Sequence, residues 1–513
     1  MILPFALLMA TVLSSTNQLA DPTPSPTPAP TPAPTPELHQ RARGLTAIRT
    51  AIGALSPGET EDDELITQIF DPNSPQQQKI SAFQPMPAMP HTVKQLQYAS
   101  GNWFGPRDFL HEHGLDFSTV YTGLFIGNPV GGKSQGFAYV DTIALSLMIE
   151  TEKLFGCGWK GGHIVMSAMQ QDGGWQENLS TAHIGNQFTV NGIVGGTTMK
   201  WANLYLNQDI WDGRVNLIIG RCASMDEFDN SPVLWNYVGS LQANPTNLKT
   251  TWSPNTSWGS RIKLRLTQDT NIRYGIYQIT TPGVNNLCWN FFPSDSASMF
   301  AQYTWDPEFC RPGSRTIFDG LKKEEPKADN KTDDKSFKNP VDIAQLKKLP
   351  GHYFIGGSYT SEGVSQFASQ TSQANASAFY IHGDQKIYRP NPTTDAGLLV
   401  WTEWGYSPES ENAFLTLQAK GGAIYQGLIP GRVNDFTIFG IGYGLFNPNY
   451  ASVQKANSQG DPTYEIVNEL GYRINFSRFF YVQPDIQYII NPGGTTGAIP
   501  NALVLGAQVG ITF

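Results

Sequence analysis

The sequence predicts an all-β chain: a transmembrane antiparallel β-barrel of about 16 strands behind a disordered, Pro-rich N-terminal extension. Three observations lead there. First, the closing stretch alternates. Leu503, Leu505, Ala507, Val509, Ile511 and Phe513 are apolar, and Val504, Gly506, Gln508, Gly510 and Thr512 between them are small or polar with one exception. Successive side chains of a strand point to opposite faces, so this strand has one greasy and one wettable side. An aromatic at the end of a closing strand suits an interfacial girdle. Second, 15% of the 513 residues are charged and 12% aromatic, with 50 glycines; soluble chains carry about 25% charged residues. Third, alternating segments of roughly ten residues recur from about position 115, parted by Gly, Pro, Asn and Asp. Mean hydropathy is −0.28, and no window past the N-terminus approaches the roughly 18 apolar residues of a spanning helix. Any membrane crossing would be made by strands. The net charge of −9 argues against a nucleic-acid partner.

In chain order, residues 1–20 read as a signal peptide. Residues 2–13 are almost wholly apolar, no Lys or Arg precedes them, and Gln18 interrupts the small-x-small pattern before Ala20. Residues 21–36 repeat Thr/Ser/Ala-Pro, an extended polyproline-like spacer. Residues 38–91 add a short helix over 43–55, an acidic cluster (Glu59, Glu61, Asp62, Asp63, Glu64) and a Pro/Gln stretch. Together, residues 21–97 make a periplasmic extension, and the barrel domain spans 98–513. The barrel is interrupted at 321–349, where Lys322, Lys323, Glu324, Glu325, Lys327, Asp329, Lys331, Asp333, Asp334 and Lys335 crowd together. Nothing there can bury a core, so it reads as a solvated loop insertion. The four cysteines, Cys157, Cys222, Cys288 and Cys310, are too scattered for a metal site. Export permits disulfides, with three pairings open. Cys288 with Cys310, flanking an aromatic-rich stretch, is the first choice, and unpaired thiols are the alternative.

Strand phase assigns faces. Arg261, Lys263 and Arg265 oppose Ile262, Leu264 and Leu266; after a turn, Ile272, Tyr274 and Ile276 continue apolar opposite Arg273 and Tyr277. Gln483, Asp485 and Gln487 oppose Val482, Ile486 and Tyr488, and Thr416, Gln418 and Lys420 oppose Leu415, Leu417 and Ala419. A soluble sandwich or barrel hides the apolar set inside, whereas a membrane barrel turns it outward and leaves the charges in a water-filled lumen. The signal segment and the terminal phenylalanine favour the second arrangement.

Three blocks carry a family resemblance. Gly101-Asn102-Trp103-Phe104-Gly105-Pro106-Arg107 precedes a short helical stretch over 108–113 and an opening strand over 115–123. A strand over 215–220 runs into Asp226-Glu227-Phe228-Asp229. Tyr481-Val482-Gln483-Pro484-Asp485-Ile486-Gln487-Tyr488-Ile489-Ile490-Asn491-Pro492-Gly493-Gly494 leads to the closing strand. Over residues 98–513 the chain resembles the OprB-type carbohydrate-selective porins. The resemblance implies an outer-membrane barrel of about 16 strands, narrowed by inward loops and charged walls, for passive diffusion of glucose-like monosaccharides. Its partners would be small carbohydrates in transit and outer-membrane lipid. It would carry no cofactor and no enzymatic chemistry, and a homo-oligomer is compatible with it. An anion-selective or general diffusion porin is the main rival; an outer-membrane hydrolase and a structural surface protein are more distant ones.

The physical chemistry of sugar passage agrees. Arg forks and carboxylates replace the hydration of a polyol, and Trp or Tyr faces stack on a sugar ring. The expected pore-lining residues are therefore Arg261, Lys263, Arg265, Arg273, Gln483, Asp485 and Gln487, with Asp226, Glu227 and Asp229 reaching in from a loop. Arg221 falls in the apolar phase of Val215, Leu217 and Ile219, which places it above the membrane band or beyond a bulge. Trp201, Trp401 and Trp404 read as girdle residues first and sugar platforms second.

Other motifs take plainer readings. Gly127-Asn128-Pro129-Val130-Gly131-Gly132-Lys133-Ser134 satisfies the P-loop pattern, but a strand-like segment follows it instead of the helix that phosphate binding needs, so a Gly-rich hairpin is expected. His111-Glu112-His113 lacks the i, i+4 spacing of a zinc helix. No Gly-x-Ser-x-Gly elbow is present.

Overall fold

The computed structural model describes residues 97–513 except 157, 174–178, 194–195, 243–253, 280–295, 310–348, 366, 368–371, 391–394, 409–412 and 459. The charged cluster within 321–349, the segment 1–96 and the Cys288–Cys310 pairing lie outside the described residues. Cys222 is a buried free thiol.

A short helix α1 (Pro106–Glu112) leads into β1 (Leu115–Val130) and β2 (Gly136–Glu150), and α2 (Thr151–Phe155) follows. Next come β3 (Gly162–Asp172), β4 (Thr198–Ile210), β5 (Val215–Cys222), β6 (Ser257–Arg265), β7 (Thr270–Gln278) and β8 (Ala297–Trp305). The two-residue β9 (Glu308–Phe309) prolongs β8 along its neighbour β10 (Leu349–Ser365). The wall continues through β11 (Ser372–Tyr388), β12 (Gly397–Tyr406), β13 (Leu415–Gln426) and β14 (Phe436–Phe446). After α3 (Pro448–Ala456) it ends with β15 (Tyr464–Asn475), β16 (Phe480–Ile490) and β17 (Ala502–Thr512). Counting β9 with β8, sixteen strands pair antiparallel with their neighbours, and β1 closes the ring on β17, with Val120 opposite Thr512 and Gly127 opposite Leu505. Closure leaves no open edge, as a membrane barrel requires.

The phase question is decided by burial. Ile262, Leu264, Leu266, Ile272, Tyr274 and Ile276 are 38–55% exposed on the outer face, while Arg261, Lys263 and Arg273 are at most 3% exposed inside. Apolar outside and charged inside is the membrane arrangement. Leu503, Leu505, Ala507, Val509 and Ile511 take the outer register of β17, opposite Gly123, Phe125 and Tyr121 of β1. Val504, the exception in that alternation, points inward and is buried in an apolar cluster within the barrel.

The two ends of the barrel differ. Tight turns at 211–214, 266–269 and 476–479 share one end with α1 and the terminal Phe513. The long connections 173–197 and 223–256 leave from the other. Short turns and chain ends mark the periplasmic side.

The seam is fastened from there. Arg107 Nη2 donates to the Phe513 carbonyl at 3.0 Å and to the Phe117 carbonyl at 2.8 Å. Its guanidinium lies over the rings of Tyr98 and Trp103. Ala99 N donates to the Thr512 carbonyl at 2.8 Å. The Gly-rich motif of the sequence closes the β1–β2 hairpin with no helix behind it. Gly131 there has φ +76°, and a Cβ would stand 1.8 Å from the Asn501 carbonyl oxygen, so only glycine fits.

Candidate functional site

Two extracellular connections turn into the lumen. In the first, Leu179, Ile184, Phe188 and Val190 are buried among inward side chains of the wall. The β1–β2 hairpin grips it: Ser134 N donates to the His183 carbonyl at 2.9 Å, and Ser134 Oγ lies 2.9 Å from His183 Nδ1. The buried carboxylate of Glu465 on β15 accepts from Gln187 N at 2.9 Å, Phe188 N at 2.7 Å and Gly493 N at 2.6 Å.

The second, residues 223–242, crosses the lumen as a strut. Its first half is held by charge on β6–β8. Arg261 Nε donates to Glu227 Oε2 at 2.5 Å, Arg273 Nη1 to the Glu227 carbonyl at 3.0 Å, and Asp229 N to Gln302 Oε1 at 3.0 Å. Ser231 Oγ then reaches Asp384 Oδ2 on β11 at 2.7 Å. The second half lands on β13–β16. Tyr237 Oη donates to the Phe439 carbonyl at 2.7 Å and accepts from Trp401 Nε1 at 2.7 Å. Val238 N and Gly239 N donate to Glu469 at 2.5 and 3.2 Å. The inner face of β14 presents Gly440 and Gly442 there, and a Cβ at Gly440 would stand 2.6 Å from atoms of both Leu241 and Tyr237. The absence of side chains is what lets the strut lie against the wall. Gly192 N to the Val238 carbonyl at 2.9 Å and Ser240 N to the Thr189 carbonyl at 2.7 Å tie the two loops together.

The structure brings Arg261, Lys263 and Arg273 onto one inner wall and sets Glu227 against them, with Asp226 and Asp229 on the same strut. Arg265 stands apart at the periplasmic rim, its Nη2 donating to the Gly213 carbonyl at 2.8 Å. Gln483, Asp485 and Gln487 lie buried across the barrel on β16. There Gln483 Nε2 donates to the Asn236 carbonyl at 2.9 Å, and Gln487 Nε2 to the Val190 carbonyl and Asp485 Oδ1, both at 2.9 Å. These groups therefore hold the loops that narrow the lumen. Arg221 sits at the loop end of β5, bonded to the Thr256 carbonyl at 3.2 Å. Trp404 is exposed on the outer face, but Trp401 departs from the girdle reading: it is buried inside under Tyr237. Positions 401 and 404 have opposite parity, so one strand cannot turn both outward.

Sequence reasoning missed Glu465, Glu469, Arg473, Trp235 and the β14 glycines. The last had a signal: Gly440, Gly442 and Gly444 alternate in one phase of a strand. It also missed a buried charge network on β11–β13. There His382 lies between Asp384 at 3.0 Å and Glu403 at 3.2 Å, and Lys420 pairs with Glu403 at 2.6 Å. Charges so deep require such pairing. On the strut itself, crowding inside the barrel and the neighbouring Glu227 push the Asp226 carboxyl up to about 7. Among the described residues no His, Cys, Asp and Glu group has the geometry to hold a metal.

A barrel with inward loops and a charged lumen is the architecture of a diffusion channel, and the comparisons agree. The family model of carbohydrate-selective porins, OprB family, matches residues 134–513. Porin B of Pseudomonas aeruginosa is 24% identical over 451 residues, covering 80% of this chain and 90% of that protein. The putative porin QuiX of Acinetobacter baylyi is 20% identical, covering 81% and 93%. The high pH structure of Pseudomonas putida OprB matches with a TM-score of 0.68 at 20% identity, covering 82% of this chain and 99% of that one. The chain belongs to the OprB carbohydrate-selective porin family: it is an outer-membrane porin, not an enzyme.

Proposed function

We propose that this porin passes neutral, glucose-like monosaccharides by diffusion past the strut. The observation that carries this reading is the internal pairing of the lumen charges. Arg261 is bound to Glu227, and Lys420 to Glu403. Paired charges present local hydrogen-bonding dipoles to a polyol without a strong field of one sign, which an anion pore would need. In this reading Arg261, Lys263 and Arg273 with Asp226, Glu227 and Asp229 shape one side of the passage. Gln483 fixes the far end of the strut, Gln487 with Asp485 holds the other inward loop, and Arg265 serves the rim. Residues 1–20 are the export signal and 21–97 the periplasmic extension.

Liposome swelling tests the proposal with glucose, a trisaccharide and a phosphorylated glucose. Glucose is expected to enter fastest, and the phosphate ester to gain no advantage at low salt. Preference for the ester that disappears when salt screens the wall would replace this reading by an anion pore. Entry ranked by size alone would make it a general one. Light scattering on the same preparation gives the assembly state.

A further inference from the structure

The backbone marks two places at the periplasmic rim. Among the described residues, the non-glycine positions with positive φ include Asp212, Asp229, Ser458, Asn491 and Thr496. These are polar types, and Asn and Asp enter the left-handed region most readily. The exceptions are bulky aromatics: Trp103 at +57°, Phe104 at +65° and Trp211 at +54°. All of them lie in periplasmic turns. Trp103 and Phe104 occupy the centre of a turn just ahead of α1, closed by Gly105 N donating to the Asn102 carbonyl at 3.0 Å. Trp211 opens the turn between β4 and β5, where Arg214 N donates to its carbonyl at 3.2 Å. A left-handed backbone costs energy at each such residue.

Exposure singles out the same turns. Phe104 is 106% exposed and Trp211 74%, the highest values of any large apolar side chain among the described residues. Strain that holds an aromatic ring out of the fold has no return inside it, so the ring's partner lies outside the chain. Its position identifies that partner. The Trp103 ring stands 6.1 Å from that of Phe117, and Phe117, between buried Asp116 and Ser118, belongs to the lipid-facing register of β1. Trp211 follows Ile210, the last outward residue of β4. Phe109 on α1, and Phe155 and Trp159 after β2, with rings 6.1 Å apart, are exposed along the same rim. The row runs from β1 to β5 where the apolar wall ends, a line that a bilayer surface meets along its whole length.

We propose that Phe104 and Trp211 are membrane anchors, seated in the headgroup zone of the periplasmic leaflet and held there by their left-handed turns. Aromatic rings favour that zone. Ordinary girdle rings hang from relaxed strands on the wall itself, whereas these two reach the lipid from turns beyond the strand ends. Phe104 stands just before Arg107, so its anchorage fixes the entry to α1, and with it the Arg107 bond to Phe513, against the membrane surface.

Photo-crosslinking of the full-length porin in phospholipid vesicles tests the anchors. The photoreactive substitutions Phe104→p-benzoylphenylalanine and Trp211→p-benzoylphenylalanine are made one at a time, with the same change at Lys455, exposed on α3 at the far end, as control. Irradiation should attach phospholipid at 104 and at 211 in several-fold higher yield than at 455. A bond to a second porin chain or to residues 1–96, or a lipid yield no higher than at 455, overturns the anchor at that site. A second measurement needs no unnatural side chain, because Phe104→Asn and Trp211→Asn remove the rings and relieve the strain together. Had the rings stood in water, both variants would be harder to unfold. As anchors, their loss lowers the urea midpoint in vesicles, and a midpoint that holds or rises in both variants overturns the proposal.

Discussion

The strut is held differently on its two sides, and the contrast separates strength from fit. On β6–β8 it is bound by charge: Glu227 sits on Arg261 and Arg273, all buried. On β13–β16 it is held by shape, with Tyr237 and Leu241 lying against glycines and Glu469 capping two backbone amides. Removing one member of a buried ion pair leaves an uncompensated charge, whereas a shape contact fails only when something is added. The first attachment therefore fails by subtraction, and the glycine contacts of the second fail by addition.

Subtraction should give the larger effect. Glu227→Ala leaves Arg261 without its carboxylate, a loss of about 3–5 kcal/mol at the attachment. Single-channel conductance should rise and the size limit for sugars relax. Arg265→Ala, at the rim, serves as the control and should leave conductance near wild type. If the two variants behave alike, the charged attachment does not set the aperture.

Addition at the other wall should act more mildly. Gly440→Val introduces atoms where a Cβ alone would already stand 2.6 Å from Leu241 and Tyr237, and overpacking costs about 1–3 kcal/mol. The strut should lift from β14, raising conductance and its noise with the charged side intact. Unchanged single-channel traces would mean that the glycines are not the seat of the strut.

The smallest expected effect is one of pH. Asp226 titrates near 7 against an ordinary value of 3.8, through burial and the nearby Glu227. With the folded pKa raised, its contribution to stability is fully present below the ordinary carboxylate range and is lost as pH rises through about 7. Above that pH the strut gains a negative charge, so reversal potentials should shift toward cation preference between pH 6 and pH 8, about one pKa unit to either side. Asp226→Asn should flatten the shift; a shift that persists in that variant assigns the titration elsewhere.

The wall was legible in the sequence because lipid imposes a strict period of two on each strand. Ile262 against Arg261, and Val482 against Gln483, could be assigned from parity alone. The positions of the strut residues were not legible for a different reason. Glu469 reads as one more lumen-facing acid, and what makes it an anchor is a pair of backbone amides 230 or so positions earlier in the chain. Backbone donors leave no mark in a sequence, and their approach depends on loop paths that periodicity does not encode. Asp226 to Asp229 could be placed in a loop near the basic wall, but the far landing on Tyr237 and the β14 glycines could not. Trp401 shows the cost of judging a residue by its distance from a strand end and not by its parity.

The clasp at the seam bears on how the barrel is made. Every other pairing in the wall joins consecutive strands, so it can form as soon as its hairpin exists. The bond from Arg107 to Phe513 joins positions 406 apart in sequence, and the β1–β17 ladder has the same reach. The entropy of closing so long a loop grows only logarithmically, about 0.6 kcal/mol per doubling of length, so the seam is not a weak point at equilibrium. Its effect falls on kinetics, where long-range pairing is the slow event. Until the ring closes, the sheet carries two open edges, which Arg107 and the segment before β1 are placed to bring together.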